Sequence, residues 1–162
     1  MTNYAKLMKT QTDAELRNFL HNALKQIDKN SHNSKAHEAL AAIKAEWTTR
    51  LVKFLNNNYK ADRPELGIFT TLGYHVGNDG ASNAIRHRLL DFMITQELPP
   101  AGSPAYLAEW NAPNTFNRYN KLLTVLRNLS NRYKNFDTHI KAVREWREDI
   151  EYISSKWGPK FS

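Results

Sequence analysis

Along this chain, stretches in which apolar residues recur every three or four positions alternate with short polar, glycine-rich or proline-rich breaks. Leu16, Phe19, Leu20, Ala23, Leu24 and Ile27 fall on one face of a helix. Thr12 and Glu15 stand at capping-box spacing, which predicts the start of that helix. The break "NSHNS" follows. A longer stripe of Ala36, Leu40, Ile43, Trp47, Leu51 and Phe54 then predicts a second helix, with Ser34 as its cap and "NNNYKADRP" as its end.

Beyond Pro64, "ELGIFTTLG" predicts a short helix closed by Gly73. Ser82 caps another, with Ile85, Leu89, Phe92 and Met93 facing inward. Ser103-Pro104 is a cap and first-turn pair for a short helix holding Tyr106, Leu107 and Trp110, which Pro113 ends. Two long helices close the chain. One runs from about Thr115 to Lys134; the other is capped by Asp137 and carries Ile140, Val143, Trp146, Ile150, Ile153 and Trp157 on one stripe. Only "YHV" and "GIFTT" hint at strand, and neither has an alternating partner. The expectation is an all-α fold: a single compact domain of about six helices with a Gly-rich central connector. If it subdivides, residues 1–60 form an N-terminal helical pair and 65–162 a C-terminal helical bundle.

Composition narrows the functional classes. At 162 residues the chain can bury a core without staples. It has no cysteine, which excludes disulfides and thiolate metal sites. No apolar run is long enough to span a bilayer, and the start lacks the apolar core of a signal peptide, so a cytoplasmic protein with no membrane partner is expected. The formal net charge is +7, from 23 Lys and Arg against 16 Asp and Glu. A positive field attracts polyanions, which makes nucleic acid, DNA or RNA, the first partner to consider.

The placement of charge sharpens that expectation. Between Glu109 and Asp137 there is no acidic residue, while Arg118, Lys121, Arg127, Arg132 and Lys134 lie there. Ordinary surface helices mix signs, because opposite charges four residues apart stabilise them. At ~100° per residue, Tyr119, Leu122, Leu123, Leu126, Leu129 and Tyr133 share one face. Asn117, Thr124, Asn128, Asn131 and Asn135 lie opposite. Arg118, Lys121 and Arg132 border that polar face on one side, Arg127 and Lys134 on the other. Cationic side chains can neutralise phosphates, and Asn amides can bond phosphate oxygens or the edge of adenine. The alternatives are a solvated basic helix or one docked on an acidic protein.

The stretch "LGYHVGNDGASNAIRHRLL" crowds glycines ahead of a basic run. It lacks the Lys of a phosphate-binding loop and the first glycine of a dinucleotide fingerprint. As a helix-turn-helix it would present Asn83, Arg86 and His87, but its connector exceeds the usual three- or four-residue turn. The reading that explains most of it is a connector, with Gly73 a helix C-cap, Asn78-Asp79-Gly80 a turn and Ser82 a helix N-cap. The basic run then adds His87 and Arg88 to the nucleic-acid face.

No catalytic residue, metal site or cofactor is assigned. The six histidines form no metalloprotease motif, there is no G-x-S-x-G elbow, and Glu148-Asp149 reads as solvated ion pairs. Trp47, Trp146 and Trp157 belong to apolar stripes. The leading expectation is a non-enzymatic nucleic-acid-binding or nucleic-acid-associated accessory protein. The alternative is a protein-interaction module (adaptor, inhibitor or accessory subunit) docking on an acidic partner, with Trp110 as an anchor.

Overall fold

A computed structural model describes residues 3–161. They are all-α: eight α-helices and one short 3-10 turn, with no strand among the described residues. The helices are α1 (Tyr4–Met8), α2 (Asp13–Lys29), α3 (Ser34–Leu55), α4 (Ile68–Leu72), α5 (Asn83–Thr95), α6 (Pro104–Ala108), α7 (Phe116–Tyr133) and α8 (Ile140–Phe161).

Local chemistry sets most of the boundaries. Thr12 and Glu15 form the full reciprocal capping box at the start of α2. Ser82 and Thr115 accept from backbone amides of α5 and α7. Gly73 closes α4 at φ +74°, and a side chain there would also collide with the His21 ring. Two starts differ from expectation. Asn33, not Ser34, caps α3, because its side chain reaches the Ala36 amide. Asp137 opens a 3-10 turn over Asp137–His139, and α8 begins only at Ile140. "GIFTT" is helical from Ile68 on, so tertiary burial of Ile68 and Leu72 overrides its β-branched composition.

The chain divides into two compact units. The first takes the chain up to Gly73 together with Glu97–Leu107. There α2 and α1 pack on α3, burying Leu16, Leu20, Ile43 and Trp47. Arg50 ties the unit together from a buried position, donating to Asp13 (2.9 Å), Glu46 (2.8 Å) and the Gln11 carbonyl (2.6 Å). Burial, reinforced by the Asp13 hydrogen bond, raises the Tyr59 hydroxyl to about 12.

The second unit comprises Tyr74–Gln96 and the chain from Ala108 onward. Its frame is the α7–α8 pair, joined through the 3-10 turn, with α5 packed on both. Leu122 and Leu126 of α7, Ile153 of α8 and Leu89 and Met93 of α5 are fully buried. The candidate interface lies in this unit.

Candidate nucleic-acid interface

On α7 the buried positions are Arg118, Leu122, Leu123, Leu126 and Ser130. The 118–122–126–130 row follows the i, i+4 ridge of a helix. Asn117, Thr124, Arg127, Asn128, Asn131 and Arg132 are exposed on the other side, followed by exposed Lys134 and Asn135. Among the described residues, Arg127, Arg132 and Lys134 form no ion pair. The contrast with α8 is direct, since there Lys141 faces Glu145 and Arg144 faces Glu148 at i, i+4 spacing.

Not all of the expected cations belong to this face. Arg118 is 2% exposed. Its guanidinium donates to the carbonyls of Trp110 (2.5 Å), Met93 (2.8 Å) and Gln96 (3.3 Å), and also to that of Asn111. The reason is the end of α5, whose last carbonyls lack partners within the helix and whose last turn carries no basic residue. Arg118 supplies donors and charge there, and its burial keeps it from meeting a phosphate. Lys121 is half-buried and its ammonium sits 2.7 Å from Glu109, which answers its charge locally. Trp110 is 1% exposed and cannot serve as an exposed anchor.

The basic run after the glycine loop also turns inward. Arg86 is buried and donates through Nε to Asp149 at 2.9 Å, with Glu145 at 3.6 Å and Glu148 at 3.7 Å. Burial disfavours its charge, but the Asp149 hydrogen bond and the charges of Asp149 and Glu145 together outweigh that and raise the guanidinium pKa further. The Tyr74 hydroxyl donates to the same Asp149 oxygen at 2.5 Å, and burial, followed by the Asp149 charge, pushes that phenol far up. His87 stacks flat on Tyr152 at 3.6 Å, with Nε2 lying 3.3 Å from Asp149 Oδ1. Arg86 therefore cannot read bases as the start of a recognition helix, and the flat face of His87 is taken up by Tyr152 of α8. Arg88 is half-buried. Asp149 is fully buried, so with Glu148 it is not a pair of solvated carboxylates.

The loop itself is fastened to this cluster. The Gly77 amide donates to Glu145 at 2.6 Å, and the Ala81 carbonyl accepts from Arg86 at 3.0 Å. Gly77 has φ +91°, and the Gly80 amide closes a turn onto its carbonyl at 3.1 Å. The glycines shape a connector. No family model, no curated protein sequence and no solved structure matches the chain.

A second carboxylate, Asp91 on α5, collects donors from Tyr152 (2.8 Å), Lys156 (2.7 Å) and Trp157 (2.8 Å) of α8. Neither Asp91 nor Asp149 stands out in the sequence, because their donors come from other elements of the chain. Among the described residues no cluster of His, Asp and Glu has metal-site geometry. Both carboxylates serve to hold α5 on α8.

This cluster gives the unit a pH dependence with a definite sign. Burial lowers the His87 pKa below its ordinary 6.5, although the Asp149 charge opposes the shift. The unfolded imidazole takes up a proton that folded His87 resists, so its contribution to stability is complete above pH 6.5 and lost as pH falls below it. Thermal melts between pH 7.5 and 5.5 are expected to show a falling Tm. His87→Gln should flatten the slope, and an unchanged slope would remove His87 as its source.

Proposed function

We propose that the second unit binds nucleic acid through the exposed face of α7 without modifying it. The observation that carries this reading is a solvent-facing row of Asn residues flanked by Arg127, Arg132 and Lys134, in a helix with no acidic residue. Such a face offers phosphates several cations and amide donors with no carboxylate in the same helix to repel them. The contributing residues are Asn117, Asn128 and Asn135 with Arg127, Arg132 and Lys134; Arg118 acts only by supporting the helix. With Trp110 buried, the adaptor reading loses its tryptophan anchor and keeps only the basic surface and the connector.

Binding to random single- and double-stranded DNA and to RNA, followed by fluorescence anisotropy across a salt series, tests the proposal. A log-log salt slope of about −0.7 to −0.9 per neutralised phosphate is expected. Reversal to Glu at Arg127, Arg132 and Lys134 together should weaken binding at least tenfold and flatten the slope by about three contacts' worth. No binding at ~50 mM salt, where phosphate contacts are strong, would reject it.

A further inference from the structure

Large apolar side chains are exposed at few places: among the described residues these are Val52, Leu55, Phe116, Phe136 and Ile140. The last three lie at the two ends of the acid-free helix. Phe116 opens α7 and Phe136 follows its last turn, each 55% exposed. At ~100° per residue Phe116 lies in one row with Asn120, Arg127 and Asn131, on the exposed side.

Each ring is braced from behind. Phe136 packs against Tyr133 and, edge-on, against His139, both at 6.0 Å. Tyr133 in turn stacks on His139 at 4.6 Å and on Trp146 at 5.7 Å. At the other end Phe116 lies 6.3 Å from Tyr119, which packs on Phe161 at 5.3 Å. These are two supported aromatic surfaces with an uncompensated basic and amide face between them.

A duplex keeps its bases stacked inside and offers such rings nothing flat to meet, whereas an unpaired strand offers both a phosphate backbone and free base faces. We infer that the nucleic acid taken by α7 is single-stranded, with unpaired bases stacking on Phe136 and Phe116 while Arg127, Arg132 and Lys134 meet its phosphates. The inference rests on the proposed function above and specifies its ligand. The negative charge of the strand complements the face between the rings, which selects it over a second copy of this equally basic chain.

The probes are twelve-nucleotide oligo-dT and oligo-rU and a twelve-base-pair mixed-sequence duplex, with the full-length protein and anisotropy as the readout. Single strands should bind at least tenfold more tightly than the duplex. Phe136→Ala and Phe116→Ala should each weaken single-strand binding about fivefold or more, the loss expected for one stacking contact, with the salt slope unchanged. Phe136→Trp should retain affinity. Both positions are exposed, and circular dichroism checks that each variant folds. Equal or tighter duplex binding, or indifference to both alanine variants, would overturn this inference while leaving the basic-face proposal intact. Absence of all binding at ~50 mM salt would remove both. Salt-insensitive self-association abolished by Phe136→Ala would overturn the inference and assign the rings to a second copy.

Discussion

Replacing Asp149 with alanine is expected to destabilise the second unit by about 3–5 kcal/mol, the usual consequence of stranding a buried charge. Asp149 is fully buried and serves three groups at once: Arg86, the Tyr74 hydroxyl and, at 3.3 Å, His87. Its removal leaves a guanidinium that is 2% exposed facing Glu145 and Glu148 only at 3.6 and 3.7 Å. The loop running from Tyr74 to Ala81 would lose its Tyr74 fastening to α8, keeping those of Gly77 to Glu145 and of Ala81 to Arg86. Chemical denaturation should show the loss, and a change below about 1 kcal/mol would mean that water replaces the carboxylate at small cost. The double variant Arg86→Met with Asp149→Leu should recover part of the stability, because an apolar pair carries no desolvation penalty, while the Tyr74 hydroxyl and the Ala81 carbonyl still lose their partners. If the two single effects simply added, the pair would not be coupled.

Arg118→Ala is expected to cost about 3 kcal/mol or more, since each buried carbonyl left without a donor costs about 1–3 kcal/mol. Four carbonyls accept from this guanidinium, two of them at the end of α5. Arg118→Lys should rescue only part, because an ammonium cannot reproduce the planar fork. Urea unfolding measures the stability, and oligonucleotide titration of the folded fraction measures binding. The expected pattern is a large stability loss with binding per folded molecule preserved. A stable Arg118→Ala variant with lost binding would instead return Arg118 to the interface. Charge reversal at this position would unfold the unit and imitate a binding defect, so it is unsuitable as an interface probe.

The two arginines show what was legible in the sequence. Arg118 and Arg127 are the same residue type in the same helix, and a helical wheel puts both at the border of the polar face. The one difference that matters is the carbonyls of Met93, Gln96, Trp110 and Asn111, which meet Arg118 only after the chain folds back. Asp149 is similar: within "EWREDIE" it looks like a surface acid, and its partner Arg86 lies 63 residues away. Features written locally were readable. The Thr12–Glu15 box, the Ser82 cap and the Gly73 terminator depend on residues within one turn of each other. The absence of acids around α7 is also local, and so is the exposure of its asparagines once the leucine stripe is buried.

The order in which the chain visits its two units has a practical consequence. It passes from the first unit to the second after Gly73, returns for Glu97–Leu107, and leaves again at Ala108. The returning segment is stitched to the first unit by the Tyr106 hydroxyl, which accepts from the Ile68 amide at 3.0 Å. No single cut therefore yields two whole pieces. A fragment starting at Tyr74 carries a borrowed segment without its neighbours, and one ending at Gly73 lacks it. Isolating the α7 surface for binding work calls for a deletion with a short designed bridge from Gln96 to Ala108, and a simple truncation would deliver a fragment with an orphaned strip of someone else's core.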